Sequence, residues 1–382
     1  MQYQLVTDTQ TLAAFCQRAS TKAFIAVDTE FVRTRTLYPQ LGLIQLFDGE
    51  QLLLVDPLAD IQLAPLAELL TNPAVIKVLH SCSEDLETFQ TALGVMPAPL
   101  FDTQLALSFL DRGNSVGYAR MIEEMLSISV DKGESRTDWL ARPLSDKQLD
   151  YAAKDVLYLY QVYPQLAADV DAAGKTAWLF DEVTLMQAKK RASLPSEYAY
   201  LTFKNCWKLR PKNLATLRAL AKWRQELARN KNIALNFIVR ESNLYEVAWR
   251  LPAKRADLFT LHGMTPQEIR RYGESMLGIV ADIQQLPPEL YPPRVEQLTD
   301  FTAYKAMAKS IRQVCEEVAT AHGLPVELFA SRKQIHQVLK WQWFELDETR
   351  LSGLQPDLLM GWRKSLLNDA LAHLFDDRIK PV

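Results

Sequence analysis

Strand-like patterning is confined to the first half of this 382-residue chain. There, short apolar runs at residues 23–27, 41–47, 51–55 and 75–80 alternate with amphipathic helical patterns such as 11–20 and 63–70. Past about Leu185 only helical periodicities remain. Asp48-Gly49 stands between the second and third runs, a strong hairpin turn signal. An antiparallel hairpin followed by strand–helix alternation specifies a mixed sheet covered by helices, hence an α/β domain. Ser81-x-x-Glu84 and Ser145-x-x-Gln148 both have capping-box form. Each predicts a helix start, the first carrying Asp85 and the second Tyr151 and Asp155.

The helical half repeats itself. Gly263-Met264-Thr265-Pro266 is echoed by Gly353-Leu354-Gln355-Pro356, and Tyr272 and Ser275 fall opposite Trp362 and Ser365, all at an offset of 90. Arg240 pairs with Arg332 at 92, implying a two-residue indel between them. One repeat of this length describes a duplicated helical domain rather than a solenoid of short units. Pro195 and Pro211 mark a connector, and the four prolines of residues 286–293 form a hinge between the copies. The expected divisions are 1–190, a connector at 191–209, and helical domains at 210–288 and 294–375.

Composition is ordinary for a globular protein, 48% apolar and 23% charged. The N-terminus has no basic stretch leading into an apolar run, and no apolar run approaches the roughly 18 residues of a membrane span. Cys16, Cys82, Cys206 and Cys315 match neither zinc-ligand spacing nor a disulfide framework. A reduced, cytoplasmic protein with no membrane association is expected, and a monomer, since no coiled-coil heptad is present. Net charge is only −3, but residues 204–271 hold 15 Lys and Arg against five Asp and Glu. That excess of ten is the footprint of a region that meets polyanions. Lys222, Arg224, Lys231, Arg240, Arg270 and Arg271 are its candidate nucleic-acid contacts.

Chemistry gathers around two acidic pairs. Asp28 and Glu30 follow the run at 23–27, and a strand's period of two points both to one face. Tyr151 and Asp155 are four apart on a predicted helix and share a face as well. Carboxylates converging in a wet cleft repel one another unless cations lie between them, and oxygen donors suit Mg²⁺ or Mn²⁺. Two such ions about 4 Å apart can hold the attacking and leaving oxygens of a phosphoryl displacement. Glu84 and Glu87 flank Asp85 and are equally acidic, so spacing alone does not choose among the three.

The order Asp28, Glu30, Asp85, Tyr151, Asp155 resembles the DEDD superfamily of 3′→5′ exonucleases, in the branch with tyrosine in the third motif. Val78-Leu79-His80-Ser81-Cys82-Ser83-Glu84-Asp85-Leu86 looks like the second motif, and Thr137-Asp138-Trp139-Leu140-Ala141-Arg142-Pro143-Leu144 resembles the approach to the third. Leu220-Ala221-Lys222-Trp223-Arg224 and Arg271-Tyr272-Gly273 are similar to an HRDC domain. The full length resembles the ribonuclease D family. The resemblance implies a ribonuclease H-like exonuclease domain followed by two HRDC-like helical domains. It implies a 3′→5′ exoribonuclease that releases 5′-mononucleotides from RNA 3′ ends, with precursor tRNA as the substrate class.

The same resemblance chooses Asp85 and distributes roles. Asp28 is expected to bridge two divalent ions, Mg²⁺ or Mn²⁺. Glu30 and Asp155 complete the ion site that activates water, and Asp85 serves the second ion. Tyr151 orients the attacking water, because a phenol of pKa near 10 is a poor base at neutral pH. A DNA 3′ exonuclease and a non-catalytic RNA-binding adaptor remain as alternatives. Asp102 is expected to cap a helix, His80 to be a hydrogen-bonded structural residue, and Trp139 to anchor the core. Lys132, Arg136 and Arg142 either touch phosphate or form a charged loop.

Overall fold

The computed structural model describes residues 2–131 and 133–372, so Lys132 and positions 373–375 of the expected second helical domain lie outside the described residues. Strands β1 (Gln4–Val6), β2 (Phe24–Val32), β3 (Gln40–Phe47), β4 (Leu52–Val55), β5 (Ile76–Leu79) and β6 (Leu100–Asp102) form one sheet. Their order is β1-β4-β3-β2-β5-β6, with β2–β3 and β3–β4 antiparallel and the other pairs parallel. The expected hairpin forms across Asp48-Gly49, whose turn is braced by Asp48 Oδ1 accepting from the amides of Glu50 and Gln51. The edge strands β1 and β6 carried no sequence signal, since three residues are too few to show a period.

The helices of this half are α1 (Thr9–Ala19), α2 (Ala64–Thr71), α3 (Ser83–Leu93), α4 (Thr103–Phe109), α5 (Tyr118–Leu126), α6 (Asp146–Ala172) and α7 (Thr176–Arg191). The capping box at Ser145 forms as expected and opens α6, which crosses the face of β2, β3, β4 and β5. The one expected at Ser81 does not form. Ser81 sits at φ 58°, and α3 begins after Cys82 with no side-chain cap of its own. Asp102 takes over this role: its carboxylate accepts from the amides of Ser81 and Cys82 and also caps α4 through Gln104 and Leu105. One buried carboxylate therefore ties two helix starts together.

Beyond α7 come α8 (Pro211–Lys231), α9 (Leu235–Ile238), α10 (Glu241–Arg250), α11 (Arg255–Leu258) and α12 (Pro266–Gln284). The second set is α13 (Tyr304–Ala321), α14 (Val326–Phe329), α15 (Arg332–Trp343), α16 (Glu348–Leu351) and α17 (Gly361–Ala372). The duplication is visible in matched left-handed turns at Gly263 (φ 88°) and Gly353 (φ 74°), and in the buried pair Tyr272 and Trp362. Two details depart from the expected register. Arg240 is the N-cap of α10, whereas Arg332 lies inside α15 behind its cap Ser331. Pro266 opens α12 directly, but Pro356 leads into a single 3₁₀ turn, Asp357–Leu359, before α17 begins.

The two copies attach to the sheet-bearing half differently. The second shares its core: Trp362 packs on Phe109 and Trp178, and Arg363, 1% exposed, forms a buried ion pair with Glu182. Lys175 spans the junction, donating to the carbonyls of Phe109 (2.8 Å) and Gly323 (2.7 Å). The first copy has its own core, which incorporates Tyr200, Phe203, Cys206 and Leu209 from the segment preceding α8. It meets the loop after β2 through Ala234 N–H to Arg35 O (2.9 Å) and Tyr38 N–H to Asn232 Oδ1 (3.0 Å). No helix among the described residues is long and apolar enough to cross a membrane.

Candidate active site

Strand β2 is central in the sheet and both its neighbours are paired, so its side chains project from a rigid platform. Asp28 and Glu30 alternate on one face, and a register irregularity follows directly between Glu30 and Phe31. Helix α6 brings Asp155 onto that face, and the three carboxylates offer oxygens that all lie within 4.8 Å of one another. Asp155 is only 6% exposed, and its Oδ1 is buried with no hydrogen-bond partner. A partnerless carboxyl oxygen at the focus of three acids is a position that a cation would satisfy.

Asp85 comes from the first turn of α3, 7% exposed, and accepts a hydrogen bond from the Thr29 hydroxyl. Thr29, between Asp28 and Glu30, is thus a positioning residue that sequence reasoning passed over. Glu84 and Glu87, indistinguishable from Asp85 by spacing, instead form a surface network with Arg33 and Lys190. Burial separates the three acids.

The electrostatics follow from this crowding. Burial first, and then the charges of Asp85, Asp155 and Glu30, hold the Asp28 carboxyl well above the usual carboxylate range. Burial, with Asp155 and Asp85, pushes Glu30 up to about 9. Burial raises Asp85 to about 7 against the opposing Thr29 hydrogen bond, and Asp155 to about 7 against one from Tyr151. Four carboxyls that resist ionisation at neutral pH are a site that divalent cations would stabilise.

Tyr151 is held by its surroundings. Burial, then the charges of Asp155, Glu30 and Asp28, drive its phenol far above 10, so at neutral pH it is a hydrogen-bond donor, never a base. Trp139, 1% exposed, lies 6.2 Å from its ring. Arg142 secures that segment. It pairs with Asp56 through Nε and a terminal nitrogen (2.7 and 2.6 Å), and donates to the carbonyls of Gly42, Trp139 and Ala141. A Cβ on Gly42 would stand 2.6 Å from the Trp139 carbonyl, which is why the approach needs glycine. Arg142 is therefore a clamp whose guanidinium is already committed, rather than a phosphate contact or part of a charged loop; Arg136 remains exposed.

His80 donates or accepts at Nδ1 with Thr103 Oγ1 (2.9 Å), and burial lowers its pKa, so it is a neutral structural residue. Two further residues escaped the sequence. Tyr118 donates its hydroxyl to the Asp155 carbonyl (2.7 Å) and fixes the turn of α6 that carries that acid. Gln45, paired directly with Asp28 across the β2–β3 ladder, is fully buried with both amide atoms lacking a partner. Neither has a sequence signal, because each acts through contacts distant in the chain.

Of the basic candidates, Lys222, Lys231, Arg240, Arg270 and Arg271 are exposed. Arg224 is not. At 5% exposure it donates to the Val239 carbonyl (3.0 Å) and lies over the Phe203 ring, so it holds the first helical copy together.

Residues 3–171 match a family of 3′-5′ exonucleases, 213–280 the HRDC domain, and 302–371 the C-terminal HRDC domain of ribonuclease D. The chain is 42% identical to ribonuclease D of Escherichia coli over 377 residues, 99% of each chain. It is 43% identical over 373 residues to that of Cronobacter turicensis, covering 98% of this chain and 100% of the other. The crystal structure of Escherichia coli RNase D, described as an exoribonuclease involved in structured RNA processing, superposes with a TM-score of 0.93 at 42% identity, covering 99% of this chain and 100% of that one. The chain belongs to the ribonuclease D family of 3′→5′ exoribonucleases.

Proposed function

We propose that this exoribonuclease releases 5′-mononucleotides from RNA 3′ ends at the β2–α3–α6 site, with precursor tRNA as its substrate class, acting as a cytoplasmic monomer. The observation that carries the site assignment is the convergence of Asp28, Glu30 and Asp155 around the partnerless Asp155 Oδ1. These three residues, with Asp85, would hold two divalent ions, Mg²⁺ or Mn²⁺. Such ions supply charge neutralisation at the scissile phosphate and acidification of the attacking water.

The protein's own share is geometric. Thr29 and Tyr118 fix the orientation of Asp85 and of the α6 turn bearing Asp155. Tyr151, permanently protonated and wedged against Trp139, offers a rigid hydroxyl to orient water. Exposed Lys222, Lys231, Arg240, Arg270 and Arg271 hold the body of the RNA while its 3′ end enters the acidic site. The acidic centre and a polyanionic substrate are thereby reconciled.

The test uses 5′-end-labelled RNA and a matched DNA strand, with Mg²⁺, Mn²⁺ or EDTA. Stepwise shortening of the RNA from its 3′ end, dependent on the metal and abolished in Asp28→Asn, is the expected result. Full activity of purified Asp28→Asn would remove the site assignment, and equal rates on DNA would remove the substrate class.

A further inference from the structure

Where the loop after β2 meets the first helical copy there is an open groove of about 730 Å³. Arg35 enters it from the catalytic half, and Phe237, Arg240 and Arg271 enter it from the helical copy. All three arginines are exposed, and none forms an ion pair among the described residues. The acid in the lining, Glu268, is already occupied. Its carboxylate caps α12 and accepts from the Arg240 amide (3.3 Å), the Asn243 side chain (3.1 Å) and the Thr265 amide (2.8 Å). Three guanidinium groups against this one carboxylate, itself held by neutral donors, leave the groove with an excess of positive charge.

Phe237 is 53% exposed. A lone exposed phenyl ring is unremarkable on any surface. One beside three uncommitted guanidinium groups has the make-up of a single-strand binding track, where arginines follow the backbone and an aromatic face receives a base. Position adds to this. Arg35 is five residues from Glu30, so the two Cα atoms are at most about 18 Å apart, a span of a few nucleotides. The backbone bond from Ala234 to Arg35 and the bond from the Tyr38 amide to the Asn232 side chain hold the two walls in register.

We infer that this groove binds the single-stranded RNA segment immediately upstream of the 3′ end, with Phe237 stacking on a base and Arg35, Arg240 and Arg271 contacting phosphates. The inference rests on the exoribonuclease reading. It adds that the catalytic half and the first helical copy form one continuous RNA track, in which Arg35 and Phe237 are binding residues.

Binding of a fluorescein-labelled single-stranded 12-mer RNA to the full chain in EDTA, titrated against salt, tests it without turnover. Phe237→Ala should weaken binding roughly 5- to 100-fold and leave the salt slope unchanged. Arg35→Gln/Arg240→Gln/Arg271→Gln should weaken it and flatten the slope by about two counterions. Both variants should keep the wild-type melting temperature, and Mg²⁺ should raise it as it does in the wild type, because none of the four residues lies in the acidic cluster. Wild-type affinity and slope in both variants overturn the inference and leave the groove to some other partner. A fall in melting temperature together with the loss of binding also overturns it, since the substitutions would then have disturbed the fold. If the unaltered protein hydrolysed no RNA, the functional reading would fail while the binding comparison could still be read.

Discussion

Replacing Asp155 with Asn should make the metal-free protein more stable at neutral pH, an unusual outcome for a buried residue. The carboxyl is 6% exposed and its pKa is raised to about 7, so the folded protein holds this proton more tightly than the unfolded chain does. Stability from that proton is fully present below about pH 4 and is lost as pH rises to about 7. Three units at about 1.4 kcal/mol each give an upper limit of ~4 kcal/mol. Asparagine keeps the shape and can still accept from Tyr151, but carries no charge. Because Asp28, Glu30 and Asp85 retain part of their mutual repulsion, about half of that limit is the conservative expectation. For a unit of this size it corresponds to a rise in Tm of roughly 4–8 °C. Thermal melts in EDTA should show this gain at pH 8 and almost none at pH 4.5. Adding Mg²⁺ or Mn²⁺ should stabilise the wild type by about 2.7 kcal/mol at a hundredfold excess over Kd, seen as a higher Tm, and move the variant much less. A variant that melts at or below the wild type at pH 8 in EDTA would refute the reasoning, since burial of repelling charges would then not dominate this site.

Other outcomes follow from neighbouring contacts. Tyr151→Phe should lower the rate by roughly 10²–10⁴ through loss of the oriented hydroxyl, with metal-induced stabilisation unchanged; wild-type turnover would exclude that role. Arg363→Met strips the buried Glu182 carboxylate of its cation and should cost roughly 3–5 kcal/mol by chemical denaturation, much of it recovered when Glu182→Gln is added. Gly42→Ala forces the Trp139 carbonyl away and should slow turnover by loosening the support of Tyr151, visible as a fall in kcat with little change in RNA affinity. Cutting the chain after Met186 uncovers Phe109 and Trp178, so the fragment should aggregate or melt well below the full chain, as a thermal scan with light scattering would show.

How far the sequence could be read depended on how local each signal was. The Asp48-Gly49 turn and the Ser145–Gln148 cap depend on residues within a few positions of one another, and both formed as expected. The cap at Ser81 had an equally good pattern and does not form: Asp102, 21 residues away, takes the Ser81 amide that Glu84 would have accepted from, and the Cys82 amide beside it. Arg224 failed for a similar reason. Its charge was counted among the basic surplus, but only the fold reveals the Phe203 ring and the Val239 carbonyl that enclose it. Within the site, the period of two on β2 and the four-residue spacing on α6 made the acids legible. Thr29, Tyr118 and Gln45 were not, because what distinguishes them is their partner, or the lack of one, across the sheet.

The duplicated helical copies carry this point further. Their sequences align at Gly263 and Gly353 and at Tyr272 and Trp362, which suggests equivalent parts with equivalent tasks. Their attachments differ. Trp362 is buried against Phe109 and Trp178 of the catalytic half, whereas Tyr272 packs on Trp223 inside its own copy and lines the groove beside Arg35. Arg363 is spent on Glu182, while Arg271 and Arg240 stay exposed and form no ion pair among the described residues. One copy has turned its last helix into a docking surface for the catalytic half and the other has kept its cations facing solvent. A duplicated fold that secures one copy rigidly leaves the charges of the other facing solvent, and the proposed RNA track draws its arginines from that first copy.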